Sequence, residues 1–288
     1  MTLFDPPPSE GEAAPGEPPP AAATPGRRLR LDVAYDGSGF RGFAAQPGQR
    51  TVAGELSRAL ATAVRQPVEL VCAGRTDAGV HATGQVVHLD VAGAPDPAAV
   101  VKSVNAMLAP EVVVRAATWA PPGFDARRSA RSRCYRYLVL EAAAPDPLLA
   151  RLAWHVPGRL DLRAMAAGAD ALIGEHDFRA FCRRPPGSGP GQSIVRRVLD
   201  ARWQVACWAP GGLHQGARLL RFDITARSFC HQMVRSVVGI LADVGRGRRR
   251  ASDVAWLLGA GDRSRGTTLA PPHGLCLLCV EYDGAGDG

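Results

Sequence analysis

Apolar and polar residues alternate from residue 28 onwards, and this pattern predicts a first half-buried strand. Leu29, Leu31 and Val33 alternate with charged residues in RLRLDVAYDG, which closes in an Asp-Gly turn. A helix is predicted next, because Thr51 can cap it and Pro67 ends its apolar periodicity. The segments VELVCA and GQVVHLDV then predict two strands, so the residues between them form a loop held at both ends.

The later periodicities predict a similar succession of helices and strands. Asp96 and Pro97 mark the start of a helix that extends to about Leu108. The further elements are strands VVVRAATWA and RCYRYLVL, a helix over 161–173, strands VRRVLDARWQVA and ARLLRFDITA, helices over 229–244 and 254–258, and a last strand around LCLLCVEY. The insert over 183–192, rich in Pro and Gly, is predicted to be a mobile loop.

This order of elements favours an α+β fold made of two similar α/β halves. Mixed, mainly antiparallel sheets with helices packed on one side fit the pattern better than a doubly wound parallel sheet. We place an N-terminal domain at 28–122 and a C-terminal domain at 123–284, and we expect the active-site cleft between them. Residues 1–27 are a Pro- and Ala-rich tail that is expected to be disordered, and 285–288 form a short second tail.

The most informative feature of the composition is its charge, because it indicates the class of binding partner. The net charge is +7, and Lys102 is the only lysine beside many arginines. Arginine suits phosphate groups, so a polyanion is the favoured partner, with a solvated basic surface as the alternative. No apolar run is long enough to cross a membrane, and no signal peptide is visible. Seven scattered cysteines indicate a reduced cytoplasm rather than a disulfide framework.

The segment GRTDAGVH, residues 74–81, is the first candidate for chemistry. A lone aspartate such as Asp77 usually bonds its own turn. Arg75 favours a second interpretation, because a neighbouring guanidinium keeps a carboxylate ionised, as a nucleophile or base requires. The chain shows no nucleotide-binding loop, metal-ligand cluster or Ser-His pair, so neither a cofactor nor a metal is expected.

Two further segments place polar groups where a plain core does not need them. FDARRSARSRCYRYLVL clusters five arginines beside Tyr135 and Tyr137, an arrangement that suits stacked bases and their phosphates. A pair of core tyrosines is the alternative, and it is favoured for Tyr137. In the predicted helix of RSFCHQMVRSVVG, His231 and Arg235 lie four residues apart on one face. Arg235 is placed to reach an acidic partner in the cleft, and a surface salt bridge is the alternative.

These segments resemble the TruA family of tRNA pseudouridine synthases. The matching motifs follow the family's order over roughly residues 28–283: YDGSGFRGF, TVAGEL, GRTDAGVHATGQVVH, FDARRSARSRCYRY, GEHDF, HQMVRSVVG and GLCLLCVEY. The resemblance implies an isomerase that converts uridine to pseudouridine at positions 38–40 of the tRNA anticodon arm. It also implies a homodimer that uses no cofactor.

The resemblance also implies roles for single residues. Asp77 stands at the family's catalytic aspartate, and Arg235 stands at the arginine that pairs with it. Arg75 stands at the arginine that holds the flipped base out, and Tyr135 at the tyrosine that stacks on the uracil. The expected catalytic residues are thus Asp77, Arg235 and Arg75, and the expected substrate-binding residues are Tyr135, Arg133 and His81.

The reaction itself explains why such a set is needed. A stacked base is inaccessible, so it must be flipped out of the stack before chemistry can occur. The carboxylate of Asp77 can then attack the ribose or remove a sugar proton, and the sequence favours neither route. Two other functions stay open: a non-catalytic RNA-binding protein or tRNA chaperone, and a pseudouridine synthase that acts on another RNA.

Overall fold

The computed structural model describes residues 26–183, 192–208, 212–213, 215–262 and 268–283. Its strands are β1 (Arg27–Tyr35), β2 (Val71–Cys72), β3 (His81–Val91), β4 (Val112–Trp119), β5 (Ala130–Glu141), β6 (Trp154–Val156), β7 (Gly174–Asp177), β8 (Val195–Ala206), β9 (Arg218–Ala226) and β10 (Leu275–Tyr282). Its helices are α1 (Val52–Val64), α2 (Pro97–Leu108), α3 (Leu162–Asp170), α4 (Met233–Gly245) and α5 (Ser252–Ala260). No helix in these ranges is long and apolar enough to cross a membrane.

The predicted tails and the predicted mobile loop fall almost entirely outside the described residues. The structure begins at residue 26 and ends at residue 283, and it leaves out 184–191. The expectations for these segments therefore stay predictions.

The ten described strands join a single mixed sheet. Its order is β4-β1-β3-β10-β5-β9-β8-β7, with β2 paired to β3 and β6 paired to β5. The β3–β10 and β5–β6 pairings are parallel, and the other pairings are antiparallel. The predicted α+β class with a mainly antiparallel, mixed sheet is confirmed. Strand β10, the last in the chain, joins the strands of the two predicted halves.

One row of paired residues across the sheet shows which face the helices cover. The row consists of Tyr35, Ala82, Leu277, Tyr135, Ile224 and Ala201, one residue from each of six strands. Directly paired residues point to the same face, and all six are buried in the main core. That core also contains Val52, Val104, Met165, Val237 and Val254, one residue from each helix. The helices therefore pack on one side of the sheet, as predicted. Two smaller buried clusters cover parts of the other face, one with Val86 and Phe124 and one with Leu140 and Leu149.

Local capping follows the sequence closely. The hydroxyl of Thr51 accepts a hydrogen bond from the Gly54 N–H at 3.2 Å. The carboxylate of Asp96 accepts from two N–H groups of α2, and Asp161 caps α3 in the same way. These predicted helix starts are confirmed, because each cap satisfies an N–H group that the first turn leaves without a partner.

Several elements differ from the prediction. The short strands β6 and β7 were not predicted, and α3 ends at Asp170 rather than at residue 173. The strand expected from VELVCA is only two residues long, because only Val71 and Cys72 pair with β3. The helix expected from residue 229 begins at Met233, because Gln232 has a φ of 66°, which an α-helix cannot contain. The residues before Met233 form a turn instead.

The cysteines also require a correction. Cys182 and Cys230 form a disulfide, with their Cα atoms 5.8 Å apart, although the sequence indicated reduced thiols. This bond joins the chain just before the undescribed segment to the turn that precedes α4. The other five cysteines are free.

Candidate active site

The loop between β2 and β3 presents Asp77 on a backbone that is already held in place. The hydroxyl groups of Tyr35 and Thr76 are hydrogen-bonded at 2.8 Å. The side-chain amide of Gln85 donates to the carbonyl of Gly74 at 2.7 Å. Because these partners lie on β1 and β3, the sheet itself determines where the aspartate points.

Gly37 explains how the first Asp-Gly turn supports this loop. A Cβ atom at Gly37 would lie 2.0 Å from the carbonyl oxygen of Val80, so only glycine allows the turn to pack there. The Gly37 N–H also donates to Nδ1 of His81 at 3.1 Å. The YDG motif therefore packs directly on the end of the GRTDAGVH motif.

The carboxylate of Asp77 has two partners from the C-terminal half of the chain. Its Oδ2 lies 3.2 Å from a terminal nitrogen of Arg235, and its Oδ1 lies 3.4 Å from Nε2 of His231. The side chains of Asp77 and Arg235 are 20% and 12% exposed, whereas His231 is 47% exposed. The carboxylate therefore sits between the two halves, where the sequence predicted a cleft, and the histidine forms its solvent-facing side.

Arg235 is held in a fixed direction by the segment that follows α5. Its Nε donates to the carbonyl of Ala270 at 2.8 Å, and the Ala270 N–H donates to the Arg235 carbonyl at 3.2 Å. This segment crosses α4 at Gly239, where a Cβ atom would lie 1.5 Å from the carbonyl oxygen of Thr268. The glycine of the RSVVG motif is therefore required for the guanidinium of Arg235 to be aimed at Asp77.

Tyr135 lies deeper, beneath the loop. It is 7% exposed, and its ring meets Phe229 edge to face with centroids 5.0 Å apart. Its hydroxyl is next to Gly74, where a Cβ atom would lie 3.9 Å away. Burial raises the pKa of the Tyr135 hydroxyl, and the charge of Asp77 raises it further. At neutral pH the ring is therefore an uncharged wall beside the aspartate loop.

Arg75 and Arg133 take different positions. Arg75 is exposed, and within the described ranges no carboxylate lies at ion-pair distance from it. Arg133 is 8% exposed and donates to the carbonyls of Ala73 at 2.8 Å and Arg227 at 2.7 Å. Burial lowers the pKa of Arg133. The structure thus uses Arg133 to join the wall of the site, and its role in substrate binding stays a prediction.

His81 is buried at the start of β3. Its Nε2 lies 2.8 Å from the carbonyl oxygen of Arg151, and its Nδ1 accepts from Gly37. Both ring nitrogens therefore have protein partners other than Asp77, and the assignment of His81 to substrate binding stays a prediction.

His231 contacts Asp77 but was not among the predicted catalytic or substrate-binding residues. It was paired with Arg235 on one helical face, yet it lies in the turn before α4 and still reaches Asp77. The sequence feature that could have identified His231 as a site residue is its titratable side chain, within the same short motif as Arg235. A carboxylate held between an arginine and an exposed histidine can attack or take up a proton, and the histidine can carry that proton onwards.

Comparisons with known proteins show which family the chain belongs to. A family model described as tRNA pseudouridine synthase matches residues 169–283. A tRNA pseudouridine synthase A of Frankia casuarinae is 44% identical over 259 residues, which cover 88% of this chain and 89% of that protein. The protein of the same name from Leifsonia xyli subsp. xyli is 40% identical over 277 residues, which cover 88% of this chain and 91% of that protein.

A solved Cbf5-Nop10-Gar1 complex is a weaker match. It has a TM-score of 0.33 and 12% identity over 86% of this chain and 48% of that chain, which is too low to support an argument. The family model defines the class as tRNA pseudouridine synthase. The full-length relatives narrow it further: the chain belongs to the tRNA pseudouridine synthase A family, and the resemblance of its motifs is confirmed.

Proposed function

We propose that this protein converts uridine to pseudouridine at positions 38–40 of the tRNA anticodon arm, with Asp77 as the catalytic carboxylate. The observation that supports this most directly is the contact between Asp77 and Arg235, in a chain whose relatives are named tRNA pseudouridine synthase A. The aspartate lies on a rigid loop, is partly exposed and faces an aimed guanidinium. A binding protein for an anionic RNA has no use for such a carboxylate.

The first step is to take the target base out of its stack. Arg75 is exposed beside the loop, so its planar guanidinium is available to occupy the space that the flipped base leaves. Tyr135 and Phe229 form an apolar wall on which the uracil can rest. These contacts offset part of the unstacking free energy, which is on the order of a few kcal/mol.

The chemical step exchanges one glycosidic bond for another on the same base. The carboxylate of Asp77 attacks the sugar or removes a sugar proton, while Arg235 balances its charge. The uracil leaves as its N1 anion, turns, and forms the new bond from C5 to C1′. In the attack route this releases the Asp77 carboxylate from C1′, and in the proton-removal route the sugar proton returns from Asp77 to the sugar. C5 then loses its proton and N1 gains one. His231, in contact with Asp77 and open to solvent, is placed to carry a proton during this exchange.

Exposed arginines around the loop provide contacts for the phosphates of tRNA. Arg127 and Arg227 are exposed, and their carbonyls are both held by Arg133, which also binds Ala73 at the start of the loop. Positive charge therefore surrounds the entrance to the site, where the RNA backbone must pass. Such contacts make binding strongly dependent on salt concentration.

The wider expectations of the resemblance belong to the same proposal. We propose a cytoplasmic homodimer that needs no metal or cofactor, with domains at 28–122 and 123–284. Light scattering of the purified full chain tests the dimer, and activity retained in the presence of EDTA tests the independence from metal.

The decisive experiment uses purified protein and an unmodified tRNA transcript with uridines in its anticodon arm. Pseudouridine is mapped by carbodiimide labelling and primer extension, with Asp77→Ala run in parallel. We expect new stops at positions 38–40 with the wild type only. Stops elsewhere in tRNA, or only in ribosomal RNA, would overturn the substrate. Tight tRNA binding without any stops would favour the tRNA chaperone.

A further inference from the structure

Two free cysteines face each other on the side of the sheet opposite the helices. Cys134 on β5 and Cys279 on β10 are directly paired in the antiparallel register, and both thiols are free. The Cα atoms of such partners lie about 4.5–5.5 Å apart. Disulfides span Cα distances of about 4.4–6.8 Å, so the two residues can be joined without moving the strands.

A β-bulge puts Cys279 on this face. The pairing passes from Leu277–Tyr135 directly to Cys279–Cys134, which leaves one extra residue in β10. Leu277 and Tyr135 point into the core under the helices, so the next pair along β5 points to the opposite face of the sheet. Cys279 is exposed and Cys134 is partly exposed, which makes the pair accessible to small molecules.

The surroundings make the two thiols chemically unequal. The hydrogen bond from Cys279, together with one from Thr225, outweighs burial and lowers the pKa of Cys134 to about 7. Asp223 and Arg136 act on the Cys134 thiolate with opposite signs. The same hydrogen bond raises the pKa of Cys279, because that proton is held by the Cys134 sulfur. Cys134 is therefore the nucleophile near neutral pH, and Cys279 is the resolving thiol.

We propose that Cys134 and Cys279 form a dithiol site that reacts with low-molecular-weight disulfides to give a reversible cross-strand disulfide. The Cys134 thiolate attacks one sulfur of R–S–S–R and releases one R–S⁻, which leaves a mixed disulfide on Cys134. Cys279 then loses its proton and attacks the Cys134 sulfur, which releases the second R–S⁻. The two leaving thiolates take up the two protein protons, so one small disulfide is reduced to two thiols as the protein disulfide forms.

Cys276 provides a matched control within the same strand. It lies three residues before Cys279 and pairs with Arg136 rather than with another cysteine. Burial raises the pKa of the Cys276 thiol, which keeps it protonated and slow to react. A reaction specific to Cys134 and Cys279 must therefore leave Cys276 reduced.

The test treats the full-length protein with oxidised glutathione at neutral pH, blocks free thiols with N-ethylmaleimide, and maps peptides without reduction. We expect a link between the peptides containing Cys134 and Cys279 in the wild type and in Cys276→Ser, reversed by dithiothreitol and absent in Cys279→Ser. A link to Cys276, or alkylation of both Cys134 and Cys279 in the treated wild type, would overturn the proposal.

A second measurement on the wild type needs no variant. The rate at which iodoacetamide alkylates Cys134 should level off above a pH of about 7, whereas the rate for Cys276 should still be rising at pH 9. If both cysteines follow the same pH profile, Cys134 is not an activated nucleophile and the proposed site does not exist.

Discussion

Two carboxylates, Asp77 and Glu141, each meet an arginine, and the difference between them separates function from stability. Glu141 is 2% exposed and accepts two hydrogen bonds from Arg218, at 2.9 and 2.6 Å. Asp77 is 20% exposed and meets a single nitrogen of Arg235 at 3.2 Å. The contact of Glu141 with Arg218 is bidentate and involves a buried carboxylate. The contact of Asp77 with Arg235 is a single hydrogen bond to a partly exposed carboxylate.

The remaining partners sharpen the contrast. Glu141 also accepts from Arg159 and from the Leu160 N–H, both at 2.9 Å, so it joins the end of β5 to β9 and to the start of α3. The side chain of Asp77 has one further partner in the described part of the chain, the exposed His231 at 3.4 Å. A saturated carboxylate stabilises the fold, whereas one with free acceptor positions can meet a substrate.

The largest expected effect comes from Asp77→Asn. The amide can neither attack the ribose nor accept a proton, so we expect turnover to fall by at least about 10⁴-fold. The melting temperature and the Kd for tRNA should stay close to the wild type, because the loop is held by other contacts. Single-turnover pseudouridine formation and filter binding measure the two quantities. Turnover within tenfold of the wild type would exclude Asp77 as the catalytic group.

Glu141→Gln should show the opposite pattern. A neutral amide leaves the guanidinium of Arg218 without its buried partner, so the free energy of unfolding should fall by about 3 kcal/mol. Turnover of the folded protein should stay near the wild type. Urea denaturation measures the loss, and Asp90→Asn is the control. Asp90 pairs with Arg28 at the surface, so that change should cost less than about 1 kcal/mol. Equal losses in the two variants would contradict the contrast.

His231→Gln tests the open side of Asp77. Glutamine can donate one hydrogen bond to the carboxylate but cannot carry a proton, so we expect kcat to fall by about 10²-fold with little change in KM. His176→Gln is the control. His176 is hydrogen-bonded to the carbonyl of Ile173 and lies far from Asp77 in the sequence. A kcat equal to that of the wild type would remove His231 from the mechanism.

The smallest effect is expected at acidic pH. Burial raises the pKa of Glu141, but its hydrogen bonds to Arg218, Leu160 and Arg159 outweigh burial and lower it overall. A lowered pKa stabilises the fold above the unfolded value of about 4.3, and that contribution is lost as the pH falls through the folded value. The stability of the wild type should therefore fall more steeply below pH 5 than that of Glu141→Gln. Urea denaturation at pH 6 and pH 4 measures the free energy of unfolding of both proteins. An equal loss in the wild type and in Glu141→Gln between these two pH values would refute this.

The structure confirms the predictions that depend on nearby residues. Thr51 and Asp96 cap their helices as the sequence indicated, because a cap joins a side chain to an N–H only two or three positions away. Strands in which apolar and polar residues alternate strictly, such as the one around Leu31, were also predicted correctly. The start of α4 was predicted wrongly, because no neighbouring residue indicates that Gln232 adopts a left-handed conformation.

The sequence by itself determined the caps, most strands, the α+β class and the motifs of the family. Only the tertiary structure decided that β10 lies between β3 and β5, that Arg133 binds backbone carbonyls, and that His231 reaches Asp77. The physical reason is the range of the interactions. Asp77 and Arg235 are 158 residues apart in the chain, and their contact exists only because one sheet, packed under five helices, brings both halves together.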